Sequence, residues 1–223
     1  SVLTWYHLSF FAVSLAMLGM SAGAVHVYLG GDRFEGARAP GAMARYAGWF
    51  ALSVPTSHLV NLSMPVVTEV SPNGLLSLVL TSVVLGVPFF LSGVVVTLAL
   101  TRMPGRIGRI YAVDLAGAAL GSLVLLALLP LANITSAVLA AGALAALGWG
   151  FLRASAGQRV GGPGVAVALL LVLAVANSVS PQRLRVAHAK NVFTPAEAVM
   201  LERWSLHGQV VARPPVPGPP AYW

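Results

Sequence analysis

Long apolar runs separated by short basic connections organise this chain. The longest lies between Arg109 and Arg153, where forty-three residues carry one charge, Asp114. As one helix that stretch would extend about 65 Å, roughly twice the hydrocarbon thickness of a bilayer. It must fold back on itself, and Pro130 with Asn133 supplies the break. The apolar runs predict six spans, at Trp5–Leu29, Gly41–Val66, Leu75–Leu100, Tyr111–Leu131, Ile134–Leu152 and Gly164–Val179. The second is the weakest, because Pro55, His58 and Asn61 interrupt it. The expected fold class is therefore all-α: a polytopic transmembrane helix bundle over residues 1–180, followed by an extramembrane tail over 181–223.

Composition agrees with that reading. Only 9% of the 223 residues are charged, against about 25% in a soluble domain. So little polar surface cannot face water all round, and the lipid bilayer is the expected environment. A net charge of +7 would suggest nucleic acid in a soluble protein. Here the twelve Arg and one Lys sit almost wholly in the connections, without interleaved aromatics or a basic helix face, so no nucleic-acid partner is expected. Zero Cys excludes disulfides, thiolate metal sites and Cys-ligated clusters. Ser1 in place of an initiator Met implies a processed or fragmentary N-terminus.

The loop charges alternate. Arg33, Arg38 and Arg45 mark the first connection, Arg102, Arg106 and Arg109 the third, and Arg153 and Arg159 the fifth. The second has only Glu69, and the fourth has no charge. By the positive-inside rule the odd-numbered connections are cytoplasmic in a multi-pass membrane protein. Arg183, Arg185 and Lys190 follow the last span and pull the other way, leaving the side of the tail open. In the tail, Thr194-Pro195-Ala196-Glu197 reads as a capping box with Pro at the first helical position. It predicts a short helix to about Trp204, with Met200, Leu201 and Trp204 on its apolar side. Val210-Val211 fits a brief strand, and Arg213 to Pro220 a polyproline-type linker.

Asp114 is the first candidate for chemistry, since an ionisable group at bilayer depth usually pairs or works. It follows Arg109 by five residues, and Arg106 and Arg109 offer interfacial pairing. Pairing or helix capping is favoured over a proton, ion or substrate role. His7 and His26 stand about 28 Å apart along one helix and cannot share a ligand. His58 and Asn61, beside Pro55, are intramembrane polar candidates, with a hydrogen-bonded structural histidine preferred. No matched His pair suggests haem, and no cofactor or metal is expected. Small residues recur at helical spacing: Gly19/Gly23, Gly117/Gly121 and Gly142/Ala146/Gly150. Such stripes let helix backbones approach closely in lipid, and they point to packing within the chain or with other membrane subunits. Gly161-Gly162-Pro163-Gly164 lacks the strand, Lys and Ser/Thr of a phosphate loop. Asn133-Ile134-Thr135 fits a glycosylation sequon but lies in a tight turn at the membrane surface.

Three segments resemble the membrane region of bacterial polytopic proteins fused to a spermidine synthase-like domain. They are Trp5-Tyr6-His7-Leu8-Ser9-Phe10-Phe11 continuing to Gly19, Pro88-Phe89-Phe90 followed by Ser92-Gly93, and Arg106 to Gly121. The last is the most specific, with Tyr111-Ala112, Asp114-Leu115, Gly117-Ala118 and Leu120-Gly121 in fixed order. The resemblance implies a further span upstream and a Rossmann-type aminopropyltransferase-like domain downstream. It also implies a tail of the form Glu-x-Trp-Asn-Ser-x-Ser-Arg-Val. Glu202, Trp204 and Val210 fit that form, while Ser205, Leu206, Gly208 and Gln209 stand in place of its Asn, its two Ser and its Arg. The lost Arg removes an anchor for carboxylate or phosphate.

These residues lead to a non-catalytic membrane subunit packing through small-residue helix faces in a larger assembly, derived from a spermidine synthase-like membrane protein. The alternatives are the membrane domain of a fused enzyme whose soluble half lies elsewhere, and a small-molecule or ion carrier using Asp114, His58 and Asn61.

Overall fold

The computed structural model describes residues 7–63, 71–103, 107–128, 132–180, 184, 188–189, 192–193, 201–205 and 208–212. Six helices account for nearly all of it: α1 His7–Gly30, α2 Arg38–Ser63, α3 Pro72–Arg102, α4 Ile107–Leu128, α5 Ile134–Ser155 and α6 Gly161–Val179. Five are long and apolar enough to cross a membrane; α2 is long enough but more polar. The chain is a multi-pass membrane protein built as an all-α bundle.

The helices pack in the spatial order α1, α3, α2, α5, α6. This explains the polarity of α2. It is the central helix, with ten buried residues, flanked by α1 and α3 on one side and by α5 and α6 on the other. A helix covered on several sides by neighbours has no need of an apolar circumference, and its internal Pro55 and His58 find partners on α5. Helix ends follow local chemistry. Ser71 caps α3 by accepting from the Gly74 N–H at 3.1 Å, with Pro72 at the first helical position. Asn133 caps α5 by accepting from the Ser136 N–H at 2.8 Å.

α1 and α3 cross through glycine. A Cβ on Gly23 would collide with the Phe90 carbonyl and stand 2.7 Å from the Val94 nitrogen; one on Gly93 would meet the Met20 backbone. Gly19 lies against Phe89 in the same way. Below this crossing Val27, Phe34, Met43, Val94 and Leu98 form the main apolar core. A second cluster, Leu139, Ala143, Leu170 and Ala174, joins α5 to α6. Gly142 admits the Pro55 ring from α2, and Gly150 faces Pro163.

α4 stands apart. None of its residues is buried, and α3 is its only substantial neighbour. Gly117 and Gly121, expected to pack, have nothing within reach of an added Cβ.

The first, third and fifth connections lie at one end of the bundle, the basic end; Asn133 and the last turn of α6 lie at the other, the distal end. The tail leaves from the distal end, where the Leu184 N–H donates to Asn177 Oδ1 at 2.7 Å. That exit lies opposite the basic connections, and Arg183, Arg185 and Lys190 lie outside the described residues. Farther on, the short helix expected up to Trp204 is corrected over its last residues. Leu201–Ser205 is a strand, β3, antiparallel to β4 at Gly208–Ala212, with Glu202 opposite Val211 and Trp204 opposite Gln209. A helix over 201–204 would leave Val210-Val211 without a partner strand, and pairing satisfies both backbones. His188–Ala189 and Val192–Phe193 form a smaller pair, β1 and β2. The capping box at Thr194–Glu197, Met200 and the Pro-rich stretch lie outside the described residues.

Candidate functional site

The polar candidates separate into two places. His58 and Asn61 sit three residues apart on the α2 face that meets α5. His58 Nε2 is 3.1 Å from Thr135 Oγ1, and that threonine is fully buried. Asn61 is buried too, and its Nδ2 has no hydrogen-bond partner. Beside them Asn177 Nδ2 donates to Asn133 Oδ1 and to Ser136 Oγ, both at 2.9 Å. The result is a polar knot at the distal end that ties α2, α5 and α6.

The described contacts of the knot are hydrogen bonds among one imidazole, two hydroxyls and two amides. Among the described residues no carboxylate orients the His58 ring, whose hydrogen-bond partner is the Thr135 hydroxyl. Among the described residues no group of three His, Asp or Glu is arranged to hold a metal ion. His7 opens α1, and its side chain lies outside the described residues. His26, at the other end of α1, has Nε2 2.8 Å from Tyr46 Oη and packs edge-on to Phe34.

Asp114 lies elsewhere. It is the eighth residue of α4, about 10 Å along the helix from the basic end. His58 lies about 30 Å along α2 from that same end, and α4 does not pack substantially on α2. The three groups considered for a carrier pathway are thus not brought together. Nor does Asp114 cap its helix: the first turn of α4 holds no acid. Arg109 does not pair with it, because five residues of helix rotate the two side chains about 140° apart. The ion pair among the described residues is instead Arg102–Glu35, 2.8 Å, which ties the end of α3 to the first connection. Arg106 lies outside the described residues.

Asp114 does share a stripe with the small residues. Gly121 lies about 20° from it around the helix axis and Gly117 about 60°. An exposed carboxylate next to two glycines, on a helix that buries nothing, is a surface without a counterpart among the described residues.

A groove at the basic end was not anticipated. It runs between α2 and α5, holds about 540 Å³, and is lined by Arg45, Trp49, Trp149 and Arg153 among others. Its sequence signal is a mirrored pair: Arg45 precedes Trp49 by four residues, and Trp149 precedes Arg153 by four. On antiparallel neighbours this spacing brings both arginines to one end and both tryptophans just beneath.

No protein-family model matches the chain, and no curated protein or solved structure shows significant similarity to it.

Proposed function

We propose that this chain is a non-catalytic subunit of a bacterial inner-membrane assembly, and that α4 is its docking helix. The observation that carries the proposal is a 22-residue apolar helix with no buried residue and a carboxylate on its small-residue face. A charged group exposed to lipid costs up to about 2.5–3.5 kcal/mol at mid-bilayer. A transmembrane helix from a different subunit, presenting a cation or hydrogen-bond donors, removes that cost and packs closely over Gly117 and Gly121. A second copy of this chain is a poor occupant. A symmetric parallel α4 pair over the glycines would bring two Asp114 carboxylates together in an apolar setting.

The stretch of α4 that resembles the spermidine synthase-fused membrane proteins supports a shared ancestry. A strand, glycine-rich turn and helix encoded beyond Trp223, with an intact catalytic acid, would favour the fused enzyme over a purely structural subunit.

Photo-cross-linking in native membranes tests the docking face. A benzophenone amino acid at Ala118, on the Asp114 stripe, is expected to give one discrete protein adduct. The cross-linked peptide should come from a membrane span of another protein that carries Arg, Lys or an amide side chain. The same probe at Ala116, on the opposite side, should label lipid, and Gly121→Leu should abolish the Ala118 adduct. Lipid adducts from both positions, or an adduct between two copies of this chain, would reject the assignment.

A further inference from the structure

We propose that the groove between α2 and α5 binds an anionic phospholipid, holding its phosphate between Arg45 and Arg153. The charge of the site comes first. Two guanidinium groups line the groove and no carboxylate does. Neither arginine has an ion-pair partner among the described residues. Arg153 Nε is buried with no hydrogen-bond partner, and a buried donor left unpaired is costly. An arginine offers two parallel N–H donors to phosphate oxygens, which makes phosphate the chemistry this pair fits best.

The shape then selects a lipid over a free anion. The floor is backbone: Gly41, Ala44 and Gly48 lie three and four residues apart along α2. At Gly48 an added Cβ would stand 2.8 Å from the Trp149 indole, so the ring lies directly on the helix. From Arg45 to Leu52 the lining descends seven residues, about 10 Å, toward the membrane interior. Polarity falls along that path from guanidinium to indole to leucine. The order matches an amphiphile with its phosphate at the mouth and an acyl chain below. Tryptophan at headgroup depth belongs to the same pattern. Basic pockets between transmembrane helices on the cytoplasmic side are suited to acidic headgroups.

The two arginines are held from behind. The Arg153 guanidinium lies 5.8 Å from the Trp149 ring centroid, and that of Arg45 lies 5.7 Å from the Tyr46 ring. Cation–π contact leaves the N–H edges free for an anion while restricting the side chains. The site is independent of the α4 face, which belongs to a different part of the bundle.

Native mass spectrometry of the detergent-solubilised full chain tests this, titrating phosphatidylglycerol, phosphatidylcholine and inorganic phosphate separately. Phosphatidylglycerol should bind at least about tenfold more tightly than phosphatidylcholine, the scale of one charge-assisted hydrogen bond. Millimolar inorganic phosphate should not displace it. Arg45→Gln with Arg153→Gln should erase the preference. Arg159→Gln, exposed in the same connection but outside the groove, should lower it no more than about fivefold, the general surface effect. Gly41→Leu keeps both guanidiniums and fills the floor, so it should weaken binding on its own and decides the matter if the double variant fails to fold. Equal binding of the two lipids, retention by the double variant or by Gly41→Leu, or an equal loss in Arg159→Gln would overturn the proposal. Displacement by inorganic phosphate would replace the lipid with a free-anion site and overturn it too.

Discussion

Removing the amide of Asn177 should loosen the distal end of the bundle by an amount the hydrogen bonds define. Its Nδ2 donates to Asn133 Oδ1 and Ser136 Oγ across the α5–α6 interface, and its Oδ1 accepts from the Leu184 N–H. Interhelical hydrogen bonds in membranes average about 0.6 kcal/mol and reach about 1.7, so Asn177→Ala should cost about 1–3 kcal/mol. Asn133→Ala loses one of those bonds and also the cap on α5, worth about 1 kcal/mol; about 2–3 kcal/mol is expected. Asn133→Ser keeps a good capping oxygen on a shorter side chain that cannot reach Asn177, and should cost only the interhelical part. Reversible unfolding of the purified chain in mixed micelles, titrated with sodium dodecyl sulfate, measures all three. The double variant Asn133→Ala/Asn177→Ala closes a cycle whose coupling should be about 0.6–1.7 kcal/mol. A coupling below about 0.3 kcal/mol, the scatter of independent sites, would show that the amide pair is not a stabilising contact. The knot would then be a passive neighbourhood of polar groups.

Three further outcomes follow from the packing, each read in the same unfolding assay. Gly93→Ala drives a methyl into the Met20 backbone and should cost about 2 kcal/mol or more, whereas Gly121→Ala, facing open space, should be neutral or slightly stabilising because Ala favours helix over Gly. Equal losses at both positions would mean that α4 packs within the chain. Tyr46→Phe deletes the hydroxyl bonded to His26 and should cost about 1 kcal/mol; no change would make that contact dispensable. Glu35→Gln breaks a half-exposed ion pair with Arg102 and should cost at most about 1 kcal/mol, diminishing as salt is added; a larger, salt-insensitive loss would contradict a surface role.

Helix number and order were legible because apolar runs and basic connections are encoded locally. The weakness of the second run was legible too, but its meaning was not. Pro55, His58 and Asn61 read as interruptions of a span, whereas in the bundle Pro55 fits against Gly142 and His58 against Thr135. Hydropathy measures exposure to an average surrounding and cannot tell a central helix from a poor one. The small-residue stripes were ambiguous for a related reason. Gly19/Gly23 and Gly117/Gly121 have the same spacing, yet the first pair meets α3 and the second meets nothing. Spacing permits close approach and does not name the partner. In the tail, local capping signals over Thr194–Glu197 favoured a helix reaching Trp204. Leu201–Ser205 instead answers to a strand several residues away, a non-local pairing that periodicity over a short window misses. The groove escaped notice because its four defining residues belong to two helices a hundred residues apart, and its two arginines read, singly, as loop charges.

The contrast between Asn177 and Asp114 carries the functional reading furthest. Both are polar side chains on apolar helices, and lipid penalises both. Asn177 is 7% exposed, with its amide bonded to α5; Asp114 is exposed on a helix with no buried residue. The Asn177 amide is thus settled within the bundle, whereas α4 carries its carboxylate on an exposed face. In a protein that functioned alone, α4 would be expected either to lack the carboxylate or to fold against α2 and α3, where glycine and polar neighbours are already available. An apolar helix that keeps a carboxylate, keeps glycines beside it and packs on almost nothing among the described residues suits the docking role proposed for α4. Asp114→Leu distinguishes the two outcomes. It should stabilise the isolated chain or leave it unchanged, since lipid prefers leucine, while weakening the assembly that the Ala118 probe reports. Loss of stability in the isolated chain would place the counterpart of Asp114 inside this protein and remove the case for a docking helix.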